Sequence, residues 1–326
     1  MGTLVRHEAR VHSALSPTVH TVFISHSSAT AAAAARIERA FVAAGVEVWL
    51  DNSDLGLGVQ LRPELHEAIH ASRALVLVWS EPASRSRWVS AEILTAFHMD
   101  RFILPCATDD TPLPQFFGHP VYLDLRTADD EALTRLVRAV ADAPNGANPL
   151  RPFVTSPEPA LVTACEHLAL GQARVNDALG KRNLAAAARA QKSLDAAMAD
   201  AEARWRFDLA VMNLGGYHRK NAYMVKHWDE IQAGRPPADP LLIDAERHFF
   251  DAALVNPIDL SAMNGLVSVL VFELELDIAA FFNERVLAMA AAAGETYDEA
   301  EQDKAMIAWM REHAAGRLKA APTSRG

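Results

Sequence analysis

The most constraining feature of this chain is an alternation of short β-type runs with amphipathic helical stretches, sustained from residue 20 to residue 141. His20 to Ser25 is short, β-branched and aromatic, and a polar Ser25-His26-Ser27-Ser28 closes it. Ala34, Ile37, Phe41 and Ala44 then recur at helical spacing before a Gly45 stop signal. Val46 to Leu50 is a second strand, and Asp51 to Leu61, with Gly56 and Gly58, is too polar and flexible to continue it. Leu61, Leu65 and Ile69 mark a second helix, and Ala74 to Trp79 is a continuous apolar run of the kind buried on both faces of a sheet. A helix from about Arg87 follows, with Val89, Ile93, Ala96 and Phe97 on its apolar side. Phe102 to Cys106 and Val121 to Leu125 read as strands four and five, and Leu133, Leu136, Val137 and Val140 line a closing helix.

Such an alternation implies right-handed crossovers and a parallel sheet covered on both faces. The expected fold is α/β: a flavodoxin-like, doubly wound, five-stranded parallel sheet. Its ligand crevice should open beyond the carboxyl ends of the strands where their order reverses, between strands one and three. Ser25 to Ser28, the 51 to 61 loop and Ser80 to Trp88 fall there.

The remainder reads differently. Five prolines, at 144, 149, 152, 157 and 159, mark a domain boundary. Beyond them strand patterns nearly vanish, and Ala- and Leu-rich segments at 160 to 179, 184 to 212 and 218 to 232 predict an all-helical second domain. The expected organisation is a leader over 1–18, the α/β domain over 19–142, a Pro-rich linker over 143–159 and the helical domain over 160–326. Ala245, Phe249, Ala252 and Pro257 match the A-x3-F-x2-A-x4-P portion of the tetratricopeptide pattern, with Leu266 and Ala279 where a further repeat would place small or apolar residues. The helical domain is therefore expected to be tetratricopeptide-like.

Composition narrows the partners. A net charge of -10 without any basic run argues against nucleic acid or an anionic membrane. The two cysteines, Cys106 and Cys165, stand far apart with no CxxC, which suggests neither a disulfide framework nor a Cys-type zinc site and fits the cytoplasm. No apolar run reaches the roughly 20 residues that span a bilayer. Cys106 reads as buried packing, His26 equally as crevice lining or a loop residue, and the group Trp205, Phe207, Tyr217, Tyr223 and Trp228 as helical core.

Among six tryptophans only Trp88 has a glutamate four residues later. On a helix, that spacing places the indole and the Glu92 carboxylate on one face, one turn apart. Phe23-Ile24-Ser25-His26-Ser27-Ser28, Val48-Trp49-Leu50-Asp51 with Leu55 and Gly58, Ala68-Ile69-His70-Ala71-Ser72 and Ser86-x-Trp88-x-x-x-Glu92 together resemble a TIR domain over about residues 18 to 142. Many members of that family hydrolyse or cyclise NAD+, and the resemblance implies Glu92 as the catalytic residue, with Trp88, Ser27, Ser28 and Gly56 contacting the substrate. Some members carry basic residues where this chain has Ser27 and Ser28. The resemblance further implies self-association through the TIR domain, a role in bacterial antiviral or stress defence, and a helical domain that senses a protein or small-molecule trigger. NAD+ is then a substrate, and no prosthetic group or metal is expected.

One carboxylate suffices for this chemistry. Glycosidic cleavage ordinarily uses an acid and a second carboxylate, but nicotinamide leaves a cationic pyridinium as a neutral ring and needs no proton. Two alternatives remain: a non-catalytic signalling adaptor working through the 51 to 61 loop, and a zinc hydrolase built on His66-Glu67-Ala68-Ile69-His70, which fits His-Glu-x-x-His.

Overall fold

The computed structural model describes residues 21–50, 63–117, 122–143 and 158–314. The first unit contains β1 (Thr21–Ser25), α1 (Ala31–Ala43), β2 (Glu47–Leu50), α2 (Pro63–Ala71), β3 (Ala74–Trp79), α3 (Glu81–Ser84) and α4 (Arg87–His98). β4 (Phe102–Ala107), β5 (Leu123–Asp124) and α5 (Asp130–Ala141) complete it. The sheet order is β2-β1-β3-β4-β5, every pair parallel, so the order reverses between β1 and β3 as expected. β3 lies at the centre and all six of its residues are buried, which is why its sequence is uniformly apolar rather than alternating.

Local signals explain most boundaries. α1 ends in a Schellman motif: Gly45, at φ 75°, donates to Val42, and Val46 donates to Phe41 at 3.0 Å. The short α3 was absent from the pattern reading. Ser80 caps it, its hydroxyl accepting from Ala83 N at 3.1 Å, with Pro82 in its first turn. β5 is shorter than the Val121 to Leu125 run predicts, with Val121 itself outside the described residues.

The second unit is helical. It comprises α6 (Pro159–Gly180), α7 (Leu184–Trp205), α8 (Leu209–Lys226), α9 (Trp228–Gln232), α10 (Pro240–Val255), α11 (Leu260–Phe272), α12 (Leu276–Ala292) and α13 (Asp298–His313). Two expected segments are corrected here. The 184 to 212 stretch breaks at 206–208, where Asp208 caps α8 by accepting from Ala210 N at 2.9 Å, and the 218 to 232 stretch divides at His227. An N-cap aspartate inside an otherwise helical pattern was the missed punctuation.

Phe249, matched to the repeat pattern, is fully buried on α10 and its ring is received by glycines on both neighbours. A Cβ on Gly216 of α8 would lie 2.7 Å from Phe249 Cε1, and one on Gly265 of α11 only 2.1 Å. The ring therefore sets the spacing of three helices, and Ala245, Ala252, Leu266 and Ala279 are likewise fully buried.

The two units share a core. One apolar cluster runs from Phe23, Leu75 and Leu77 of the sheet through Val89, Ile93 and Phe97 of α4 to Phe249, Leu266 and Phe282 of the helical unit. α4 is the element between them: residues 89–97 are buried without exception, as expected for a helix enclosed on all sides. We predict that Gly265→Ala, which forces a methyl into the Phe249 ring, lowers the unfolding free energy by about 1–3 kcal/mol in urea titrations.

Candidate functional site

The site begins with strand register. Ser25 pairs with Leu77, so the chain leaving β1 and the chain leaving β3 depart from the same edge of the sheet. Ser27 and Ser28 follow β1 in a tight 3₁₀ turn over Ser28–Thr30, held by Thr30 N donating to Ser27 O at 2.9 Å and Thr30 Oγ1 donating to the same carbonyl at 3.0 Å. Ser27 and His26 are half-buried and Ser28 is exposed. Gly56 and the rest of the 51 to 61 loop lie outside the described residues.

α4 starts at that same edge. Ser86 caps it, its hydroxyl accepting from Val89 N at 3.3 Å. Trp88 and Glu92 thus occupy its first two turns, and the helix lies against β1, β3 and β4. Glu92 is 3% exposed, so it is not the solvated surface acid that an isolated Trp-x-x-x-Glu would suggest. Trp88 is partly buried against the shared core.

Arg87 is the residue that pattern reading missed. Its guanidinium lies 5.5 Å from the Trp88 ring centroid and reaches the second unit, 2.8 Å from Glu246 Oε1 of α10 and 2.8 Å from Glu273 Oε2 just beyond α11. Glu246 is 3% exposed. Burial pushes its carboxyl well above the ordinary range; the neighbouring Glu273 pushes it further and Arg87 only partly offsets this. Glu273 is raised by burial as well, whereas the acids more than offset the burial of Arg87 and hold it charged. A sequence signal did exist: Glu273 and Glu275 interrupt the apolar run Val271-Phe272-Glu273-Leu274-Glu275-Leu276, and acids so placed require a cation.

Residues 22–137 match the family model described as the TIR domain. Over these residues the chain carries a TIR domain. No curated protein matches the chain.

Of the other candidates, His66 on α2 packs edge-on against Phe281 of α12 with ring centroids 4.5 Å apart, and His70 is exposed. Among the described residues no three His, Cys, Asp or Glu side chains are grouped as a metal site. Cys106 is fully buried, and burial pushes its thiol up to about 12, so it is packing. The aromatic group divides: Tyr223 is core, but Phe207 is 69% exposed, because it lies in the break between α7 and α8 and not on a helix face. Among the described residues no helix is long and apolar enough to cross a membrane.

Two substitutions test the Arg87 contact. Arg87→Ala strands two buried acids and should lower stability by about 3 kcal/mol. Glu246 favours its protonated form when folded, so its contribution is full below the ordinary carboxyl range and is lost as pH rises through its raised folded value. Glu246→Gln, which keeps the shape without the proton, should therefore flatten the decline in melting temperature between mildly acidic and mildly alkaline pH, as followed by circular dichroism.

Proposed function

We propose that this chain is an NAD+-consuming enzyme, a glycohydrolase or cyclase that cleaves the nicotinamide–ribose bond, with Glu92 as its catalytic residue. The observation that supports this reading is a nearly buried carboxylate, Glu92, in the second turn of α4, within residues matched to a TIR domain.

In this mechanism the C1′–N bond breaks with its electrons leaving on nicotinamide. The Glu92 carboxylate stabilises the positive charge that develops on the ribose, which is strongest in a site that excludes water. Trp88 walls that site. Water then adds at C1′ and gives its proton to Glu92, which releases it to solvent, so that NAD+ and water become ADP-ribose, nicotinamide and a proton. In the cyclase variant, the adenine of the same molecule takes the place of water. Ser27, Ser28 and Gly56 are the proposed substrate contacts, and association of TIR domains is proposed to complete the site. The setting we propose is cytoplasmic, in bacterial defence or stress signalling, with the helical unit regulating the TIR domain in response to a protein or small-molecule trigger.

One observation favours a second reading. α10 packs across α4 and Glu92 is covered, an arrangement that also suits a non-catalytic adaptor acting through TIR–TIR contacts.

Nicotinamide release from NAD+, followed by chromatography for wild type and Glu92→Gln, decides between them. The enzyme reading expects the substitution to reduce release by about 100-fold or more. Equal release by both proteins would remove Glu92 from the chemistry, and no release by wild type at any protein concentration would favour the adaptor.

A further inference from the structure

Between the TIR domain and the helical unit lies a cavity of about 1070 Å³. That is just above the usual range of small-molecule sites, about 300–1,000 Å³. The TIR side supplies Trp79 from the end of β3, Ser84 and Arg85 from α3, and the 112–115 loop; the helical side supplies the end of α7 with parts of α8 and α10. Glu92 does not line it, while Ser84 and Arg85 belong to the 80–88 stretch that leaves β3, so the cavity adjoins the edge where NAD+ is proposed to bind.

The lining is cationic although the chain carries a net charge of -10. Four arginines face two carboxylates, Glu202 and Asp251. Arg219 is spent on Glu202, at 2.6 Å and 3.2 Å, and Arg247 on Asp251 at 2.9 Å. Arg85 pairs with Glu81. Arg206 makes no ion pair among the described residues; its guanidinium lies 4.8 Å from the centroid of the Phe207 ring. A cation that feels Asp251 across the cavity but forms no ion pair with it thus stands beside an aromatic side chain that is 69% exposed, both on the wall of a roomy cleft. Guanidinium recognises phosphate, and an exposed aromatic ring is a platform for a flat heterocycle.

We propose that this cavity binds a nucleotide: a nucleoside carrying one or more phosphates, its phosphate held by Arg206 and its base stacked on Phe207. The site also bridges the two units. Arg247 Nη2 donates to Ser84 O of α3, immediately before α4, so a nucleotide seated between them touches the contact that positions the TIR helix bearing Trp88 and Glu92. The inference stands whether or not that helix is catalytic.

The test is calorimetric titration of the full chain with ADP, pyrophosphate and adenosine, for wild type, Arg206→Glu and Phe207→Ser. Both residues are exposed and both variants should fold, which melting curves verify. ADP is expected to bind wild type, to weaken with added salt, and to bind at least about 10-fold more weakly to each variant, one such factor corresponding to a lost phosphate or stacking contact. Pyrophosphate should bind less tightly than ADP, and adenosine should show no measurable binding. Absence of ADP binding at millimolar concentration would overturn the proposal. So would ADP binding that both substitutions leave unchanged, since the nucleotide would then occupy another site. Pyrophosphate binding as tightly as ADP would overturn the role given to Phe207.

Discussion

The guanidinium of Arg87, held between Glu246 and Glu273, is the constraint around which this protein is arranged. A buried ion cluster is weak as a source of net stability because desolvation cancels much of the attraction, but it is demanding about geometry. Two acids from the helical unit are raised toward their protonated forms and still converge on one cation of the TIR domain. Separating the units would break this cluster and return its groups to water. The cluster therefore fixes where α10 and the end of α11 sit over α4, and α4 carries the residues of functional interest.

Much of the fold was legible. The period of the apolar residues separated strands from helices, Gly45 stopped α1 as its Schellman geometry requires, and the uniform apolarity of Ala74–Trp79 marked the central strand. What escaped was punctuation that is polar and local: Ser80 capping a four-residue helix, and Asp208 dividing a long Ala-rich stretch in two. Composition over a wide window smooths over single capping residues, so these breaks do not register in it. Phe249 was legible as a repeat position, but that glycines on two other helices receive its ring follows only from their packing.

The candidate site divides in the same way. Trp88 and Glu92 could be singled out because they stand at a fixed spacing, and the structure places both on the one helix that this spacing requires. The burial of Glu92 was not legible, because α4 is enclosed by the sheet, by α2 and by α10, and such enclosure is set by tertiary packing. Arg87 was passed over for the same reason: its partners are distant in sequence, although acids inside an apolar run announced that some cation was owed to them. The cavity beside α3 is a product of two units meeting, and no window of sequence contains it.

The apolar cluster that runs without a break from Phe23 to Phe282 has one more implication. Domains joined only by a tether melt as separate cooperative blocks, each at its own temperature. Here sheet and helices share this cluster along α4, so loosening α4 exposes apolar surface on both sides at once. The polypeptide then behaves as a single thermodynamic body, and a disturbance seated in the helices is felt at the strand ends without a dedicated relay.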